Sequence, residues 1–282
     1  MRFVKGHGTE NDFVILPDPD GVLDLPATLV AALCDRRAGI GADGVLRVVP
    51  AKLSPEAVEI VARARGAAAH TGEAEWFMDY RNADGGMAEM CGNGIRVFAR
   101  YLVEAGLADP GGFDVVTRAG IRQVRMGPEG MVTVDMGPPL IMGESWATVG
   151  GTRYTGLVVD MGNPHLACLT GEPVARFELH AQPGFDPAVF PTGVNVEFVN
   201  PVGDRHIVMR VHERGCGETR SCGTGTVASA VAAAHAAGET TGTWTVEVLG
   251  GLLTVTLTPD TSYLTGPAVL VASGDYPAAT LT

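Results

Sequence analysis

Two short motifs of the same form, each a cysteine framed by glycines, lie far apart in the chain. One is Cys91-Gly92-Asn93-Gly94 and the other is Cys222-Gly223-Thr224-Gly225, so the cysteines are 131 positions apart, from 91 to 222. Each motif ends a polar turn, and the apolar spacing after it predicts a helix, over 95–105 and over 227–237. The repeat predicts a duplicated unit with pseudo-two-fold symmetry, which few folds can accommodate.

The rest of the chain is typical of short strands broken by glycine and proline. Residues 132–136, 243–249 and 252–257 alternate like strands, and the last two are spaced for a hairpin turned at Gly250-Gly251. Many strands and few helices predict an α+β fold. A length of 282 residues predicts two domains, with the main boundary between Thr117 and Gly150.

Charge and hydrophobicity exclude several classes of partner. The formal net charge is −12 and the isoelectric point is about 5.0, which disfavours binding to nucleic acid or to anionic lipid. No stretch approaches the roughly 18 consecutive apolar residues of a membrane span, and residues 1–8 lack the apolar core of a signal peptide. We therefore expect a cytoplasmic protein with neither a nucleic-acid nor a membrane partner. Residues 63–75, rich in alanine and glycine, are expected to form a surface excursion.

The five cysteines are expected to be free thiols, because their number is odd and their spacing fits neither a disulfide framework nor a metal site. Cys34 and Cys168 lie in apolar runs and are expected in the core, whereas Cys216 lies in a loop and is expected to be exposed or accessory. Cys91 and Cys222 each stand at a helix N-terminus. That position lowers a thiol pKa from its usual value of about 8.5.

Two such thiols suit proton transfer at a carbon atom beside a carboxylate. The free N–H groups of a helix start bind a carboxylate and stabilise the charge that develops on it when the α-proton leaves. Inversion needs a base on one face of the carbon and an acid on the other, which a duplicated chain supplies. The glycine-rich loops match neither a P-loop nor a dinucleotide-binding fingerprint. The sequence therefore predicts an amino-acid racemase or epimerase without a cofactor or a metal.

The chain resembles the diaminopimelate epimerase family along nearly its whole length. The similar blocks, in order, are 5–13, 39–44, 81–85, 90–94, 162–165 and 213–225. The resemblance implies interconversion of L,L- and meso-2,6-diaminoheptanedioate in lysine and peptidoglycan-precursor synthesis, without pyridoxal phosphate or metal. It implies a homodimer acting on a small amino acid.

The resemblance also implies a particular architecture. Two pseudo-symmetric domains would each curl a mixed or antiparallel sheet around a central helix, with the active site in the cleft between them. The first domain would comprise 1–118 together with a returning C-terminal tail, 268–282, and the second would comprise 119–267.

Residue by residue, the resemblance makes Cys91 and Cys222 the acid/base pair. The reacting carboxylate would be bound by Gly92, Asn93, Gly223 and Thr224. The substrate's amino groups and distal carboxylate would be bound by Asn11, Asn82, Asn163, Asn195, Glu213 and Arg214. His165 and Glu213 would bias the thiols between their protonated and ionised forms. The chain departs from the family at Gly44, where many members have glutamine, so a side-chain contact with substrate is lost there.

Two alternatives stay open. A proline or hydroxyproline racemase or epimerase would share the two-thiol chemistry, but such enzymes typically show Cys-Gly-His where this chain has Cys91-Gly92-Asn93. Alternatively, the protein is a thiol redox switch or binding module, in which Cys91 and Cys222 form a regulatory disulfide. Detection of carbon-centred proton exchange distinguishes an enzyme from the second alternative.

Overall fold

A computed structural model describes residues 1–66 and 74–277, which form four α-helices and eighteen β-strands. In the first half the elements are β1 (Arg2–Gly8), β2 (Asn11–Pro17), α1 (Ala27–Cys34), β3 (Gly44–Pro50), α2 (Pro55–Gly66), β4 (Trp76–Asn82), α3 (Gly92–Glu104), β5 (Phe113–Thr117), β6 (Gly120–Met126) and β7 (Met131–Gly137). In the second half they are β8 (Leu140–Val149), β9 (Thr152–Asp160), β10 (Pro164–Leu169), β11 (Gly184–Phe185), β12 (Asn195–Gly203), β13 (His206–Glu213), β14 (Gly217–Thr219), α4 (Gly223–Ala236), β15 (Gly242–Val248), β16 (Gly251–Leu257), β17 (Ser262–Pro267) and β18 (Val269–Asp275).

The described residues pack as two compact units. The first contains Met1–Val134 and the segment that begins at Pro267, and the second contains Asp135–Gly266. In the first unit, β18 pairs antiparallel with β1, from Arg2 opposite Asp275 to His7 opposite Val269. The β5–β6 hairpin pairs with β4 and packs on α3, which extends this unit beyond residue 118. Domain limits of 1–118, 119–267 and 268–282 stay a prediction.

Each unit repeats one order of strand pairing. In the first, β1 and β2 pair antiparallel, β2 and β3 parallel, and β3 and β4 antiparallel, before α3 begins. In the second, β9 and β10, β10 and β12, and β12 and β13 pair in the same three ways before α4 begins. The duplication that the two cysteine motifs predict is thus present in the backbone, and the α+β prediction is confirmed.

The helix after each motif is the buried centre of its unit. Helix α3 packs against β1, β2, β3, β4, β6 and β18, and α4 packs against β9, β10, β12, β13, β15 and β16. The first eight residues of α3 and the first twelve of α4 are buried. Helix α3 begins three residues before the predicted start at 95, and α4 begins four residues before the predicted start at 227. The first-turn residues are glycine, asparagine and threonine, which lack the apolar spacing that marks a helix in the sequence. The cysteine caps nevertheless keep these residues helical.

Three predicted strands are confirmed as β7, β15 and β16. The hairpin closes with Val248 opposite Gly251, so its turn is Leu249-Gly250, one residue before the predicted turn at Gly250-Gly251. Cys34 ends α1 and is buried, Cys168 is buried in β10, and Cys216 is exposed, as predicted. Burial raises the pKa of Cys34 to about 11 and that of Cys168 to about 12, so both stay protonated at neutral pH. Of the predicted excursion 63–75, residues 67–73 lie outside the described residues.

Candidate active site

Cys91 is the N-cap residue of α3. Its backbone is extended, with φ −132° and ψ 121°, and its Sγ accepts a hydrogen bond from the Gly94 N–H at 3.5 Å. The thiol is half-buried and lies 3.5 Å from the side-chain oxygen of Asn11, which also accepts from the Asn93 amide at 3.2 Å. The first unit therefore brings together three residues that the sequence predicts for the site: Asn11, Cys91 and Asn93.

A charged network fixes the orientation of the Asn11 amide. Asp43 accepts a hydrogen bond from the Asn11 Nδ2 at 2.7 Å, which turns the amide oxygen toward Cys91. Arg36 bridges Asp43 and Asp12, and Lys5 pairs with Asp12 at 2.6 Å. Sequence reasoning missed Asp43 and Asp12 as supporting residues, although both lie in motifs that carry the family resemblance. The available signal was position in the sequence: Asp12 directly follows Asn11, and Asp43 directly precedes Gly44.

The Asp12 carboxylate provides a prediction about acid stability. Burial alone would raise the pKa of Asp12, but hydrogen bonds from Arg36 and Lys5 outweigh it and hold the pKa well below its usual range. A carboxyl whose pKa is lowered by folding stabilises the protein fully above its unfolded value of about 3.9, and that stability is lost as the pH falls further. Asp12→Asn should therefore be less stable than the wild type at pH 7. Below about pH 4 its unfolding free energy should fall less steeply with pH than that of the wild type, as measured by urea titrations. The exposed Asp20→Asn is the control, and an unchanged acid slope in Asp12→Asn would refute the account.

Cys222 is the N-cap residue of α4 and is more deeply buried, with 6% of its surface exposed. Its Sγ accepts from the Gly225 N–H at 3.4 Å and lies 3.5 Å from the Thr224 hydroxyl. Burial, followed by the carboxylates of Glu213 and Glu197, raises the pKa of Cys222 well above its ordinary value, although the Thr224 and Gly225 hydrogen bonds oppose the rise. The helix start alone predicts a lowered pKa, and that prediction is wrong for Cys222 because burial outweighs the effect of the helix.

A buried histidine–carboxylate pair packs at the same helix start. His165 Nδ1 lies 2.7 Å from Glu197 Oε1, and His165 Nε2 lies 3.1 Å from Asn163 Oδ1. Neither His165 nor Glu197 exposes any side-chain surface. A Cβ atom built on Gly225 would stand 2.6 Å from Glu197 Oε1 and 3.4 Å from Cys222 Cβ, which places the carboxylate directly under the first turn of α4. Sequence reasoning predicted His165 and Asn163 for the site but missed Glu197.

Further predicted residues lie where β10 and β12 begin and where β13 ends. Asn195 donates to the Pro164 carbonyl at 2.9 Å and accepts from the Arg214 N–H at 3.0 Å, so it ties two predicted binding segments together. Thr219 donates to Glu213 Oε1. In the first unit, Asn82 is the last residue of β4, and its N–H donates to Gly86. The predicted residues are thus divided between the two units, with the Gly92 and Gly223 amides opening their respective helices.

Gly44 has no room for a larger residue in the present backbone. It pairs with Phe13 on one side and with Asn82 on the other. An added Cβ would stand 2.6 Å from the Arg81 carbonyl oxygen and 2.8 Å from a Tyr80 ring carbon. The register gives Asn195 the equivalent position in the second unit, opposite His165. An amide side chain is therefore present at this register position in only one of the two repeats.

Residues 1–66 and 74–277 contain no group of three histidine, cysteine, aspartate or glutamate side chains arranged to hold a metal ion. Within the same residues, no helix is long and apolar enough to span a membrane.

Solved structures identify the class to which this fold belongs. A predicted epimerase from Pseudomonas aeruginosa superposes with a TM-score of 0.67 and 13% identity over 99% of both chains. A probable proline racemase from Agrobacterium radiobacter gives a TM-score of 0.66 and 15% identity over 99% of this chain and 94% of that one. At such low identity these likenesses establish the fold alone, and the fold is that of epimerase-like proteins.

Sequence comparison identifies the family within that class. The model of the family described as diaminopimelate epimerase matches residues 3–142 and 157–271. The diaminopimelate epimerase of Thermobifida fusca is 57% identical over 275 residues, which cover 98% of this chain and 97% of the relative. That of Streptomyces coelicolor is 53% identical over 290 residues, covering 100% and 97%. The chain belongs to the diaminopimelate epimerase family, whose members are isomerases.

Proposed function

We propose that this protein converts L,L-2,6-diaminoheptanedioate to the meso isomer in lysine biosynthesis, with Cys91 and Cys222 as the two proton-transferring groups and without a cofactor. The observation that carries the proposal is the cap geometry: in each unit a cysteine sulfur stands at the start of a buried helix and accepts a first-turn N–H. Family membership supplies the substrate.

The proposed reaction consists of two proton transfers. One cysteine, as thiolate, takes the α-proton and becomes a thiol, and the electron pair of the broken C–H bond is delocalised onto the substrate carboxylate. The other cysteine, as thiol, gives its proton to the opposite face of the α-carbon and becomes a thiolate. A positioned acid or base contributes roughly 10²–10⁴-fold each to such a reaction.

Helix-end groups stabilise the charge that develops on the carboxylate. The N–H groups of Gly92, Asn93, Gly223 and Thr224 belong to the first turns, where they lack helical acceptors. Fixed donors of this kind stabilise an enolate-like oxygen without reorganising during the reaction. Asn93 and Thr224 are buried, which limits competition from water.

The remaining predicted residues are proposed to select the substrate. Asn11, Asn82, Asn163 and Asn195 offer both amide donors and acceptors, and Glu213 and Arg214 offer one charge of each sign, which suits a zwitterionic amino acid. His165 and Glu213 are proposed to bias Cys222 between thiol and thiolate. We also propose a cytoplasmic homodimer, because the chemistry requires reduced thiols and the family resemblance implies a dimer.

Isotope exchange tests the proposal directly. The reduced protein is incubated with L,L-diaminoheptanedioate in D2O, and isomer composition and deuterium content are followed by chiral chromatography with mass spectrometry. We expect the meso isomer to form with one solvent deuterium at the inverted α-carbon. Absence of both isomerisation and exchange would overturn the proposal, and exchange with L-proline instead would favour the proline-type alternative.

A further inference from the structure

The two cysteine-capped helices have the same frame but different buried charges beneath them. Position 96, five residues after Cys91, is arginine, whereas the equivalent position five residues after Cys222 is Val227. The third residue of the strand that supports each helix also differs: it is Leu46 in β3 and Glu197 in β12. The first unit therefore has a cation, Arg96, where the second has an apolar residue. The second unit has a carboxyl group, Glu197, where the first has an apolar residue.

Arg96 is fully buried and forms no ion pair with an aspartate or glutamate among the described residues. Its guanidinium donates to the Gly92 carbonyl at 3.2 Å, to the Thr9 hydroxyl at 3.0 Å and to the Pro267 carbonyl at 3.4 Å. Burial lowers the pKa of Arg96 to about 10, and the Cys91 thiolate opposes that change. A buried cation surrounded by neutral acceptors is stabilised by any nearby anion, and Cys91 can become that anion.

Glu197 places a buried carboxyl group under Cys222; burial raises the pKa of this carboxyl, and the His165 imidazole beside it opposes that rise. Its Oε1 is bonded to His165, and its Oε2 is buried without a hydrogen-bond partner among residues 1–66 and 74–277. The same Oε1 lies under the first turn of α4, at the point where a Gly225 side chain would begin. In the first unit, the corresponding point beside Gly94 is lined by carbon atoms of Leu46 and Phe13, each at 3.4 Å.

Other polar and charged groups also lie near the two thiols, including His165, which is paired with Glu197. Cys222 also faces the carboxylate of Glu213, whose charge acts in the same direction as that of Glu197. The Thr224 hydroxyl and the Gly225 N–H are neutral donors. Cys91 faces the neutral Asn11 oxygen at 3.5 Å, and the Asp43 carboxylate lies behind that amide, bonded to its nitrogen. Arg96 adds a positive charge whose interaction with the Cys91 thiolate favours the ionised form of both groups.

We infer that Arg96 and Glu197 are positioning residues that make the two thiols unequal, so that Cys91 ionises first and Cys222 keeps its proton in the free enzyme. Under the proposed function, on which this consequence rests, the resting protein has Cys91 ready as the base and Cys222 ready as the acid. The isomer whose α-proton faces Cys91 then binds a correctly protonated site. The opposite isomer can react only after Cys91 has gained a proton and Cys222 has lost one.

The ionisation order is measured without substrate, so its outcome is independent of the proposed function. Protein labelled with ¹³C at the cysteine β-carbons is titrated by NMR, and the resonances are assigned with Cys91→Ser and Cys222→Ser. We expect the Cys91 midpoint to lie more than about one pH unit below that of Cys222. Equal midpoints in the wild-type protein, or ionisation of Cys222 at a lower pH than Cys91, would be enough to overturn the inference.

Variants assign the difference to the two buried charges. Glu197→Gln keeps the shape but removes the charge, and it should lower the Cys222 midpoint by about one unit or more while Cys91 stays unchanged. Arg96→Lys keeps the charge and should preserve the order, whereas Arg96→Met should raise the Cys91 midpoint. If Arg96→Met does not fold, Arg96→Gln replaces it, since glutamine also removes the charge but keeps hydrogen-bonding groups, and a Cys91 midpoint unchanged in the neutral variant would refute the role of Arg96. A Cys222 midpoint unchanged in Glu197→Gln would refute the role of Glu197.

Discussion

Replacing either Cys91 or Cys222 by alanine is expected to reduce the epimerisation rate by at least about 10²–10⁴-fold, because each change removes one of two acid/base groups. The two variants should also differ in isotope exchange. A protein with one remaining base can remove an α-proton and return solvent deuterium only to the same face. Each variant should therefore label one isomer slowly with retention of configuration, without inverting it. Parallel D2O incubations starting from the L,L and the meso isomers measure this.

The matched control is Cys216→Ser, which changes an exposed thiol close in sequence to Cys222. It should keep the wild-type rate and the wild-type isotope pattern. The alanine variants should retain their melting temperatures within a few degrees, since a cysteine-to-alanine change removes a single sulfur atom. A Cys91→Ala or Cys222→Ala protein that keeps more than about a tenth of the wild-type rate would exclude a two-thiol reaction.

The sequence predicts the framework of the fold because that framework is encoded locally. A cysteine followed by glycine, a polar residue and glycine marks a helix start in both halves, and the structure has Cys91 and Cys222 as N-caps. The α+β class follows from strands broken by glycine and proline. The exact helix starts are harder to predict from the sequence. The first turn of α3 is stabilised by a cap hydrogen bond and by burial, and its residues do not show the apolar spacing that marks a helix.

The charges that separate the two thiols could not be predicted in the same way. Glu197 stands between Val196 and Phe198, both fully or almost fully buried, so β12 is covered on both faces. A single carboxylate in such a strand was the available signal, but its partner, His165, lies 32 positions earlier. Arg96 stands two residues after the first motif and, in the sequence, resembles a solvated helical arginine. Its burial depends on Thr9, which is 87 positions away.

The pKa of Cys222 shows why a local rule was insufficient. The helix start favours the thiolate, and this much can be deduced from the motif. Burial and two carboxylates act in the opposite direction and dominate. These opposing effects come from β12 and β13, which reach the motif only in the folded chain.

Gly225→Ala is expected to destabilise the protein although alanine ordinarily favours a helix over glycine by about 0.5–1 kcal/mol. The new methyl group would stand 2.6 Å from the buried Glu197 oxygen, which is itself bonded to His165. Forcing atoms apart in a packed interior costs about 1–3 kcal/mol. Because the strain displaces groups that face Cys222, the epimerisation rate should fall by about 10²-fold. Urea unfolding and steady-state rates measure the two effects.

Gly94→Ala is the matched substitution in the first unit. Its methyl group would meet carbon atoms of Cys91, Leu46 and Phe13, all at 3.4 Å, a distance at which small adjustments suffice. Its unfolding free energy should stay within about 1 kcal/mol of the wild type, so the two variants separate the carboxylate from the helix itself. Shortening Glu197 to alanine in the Gly225→Ala background should cost less than it does in the wild type, because the clash disappears. Equal losses from Gly94→Ala and Gly225→Ala would mean that the two helix starts are packed alike and that Glu197 does not distinguish them.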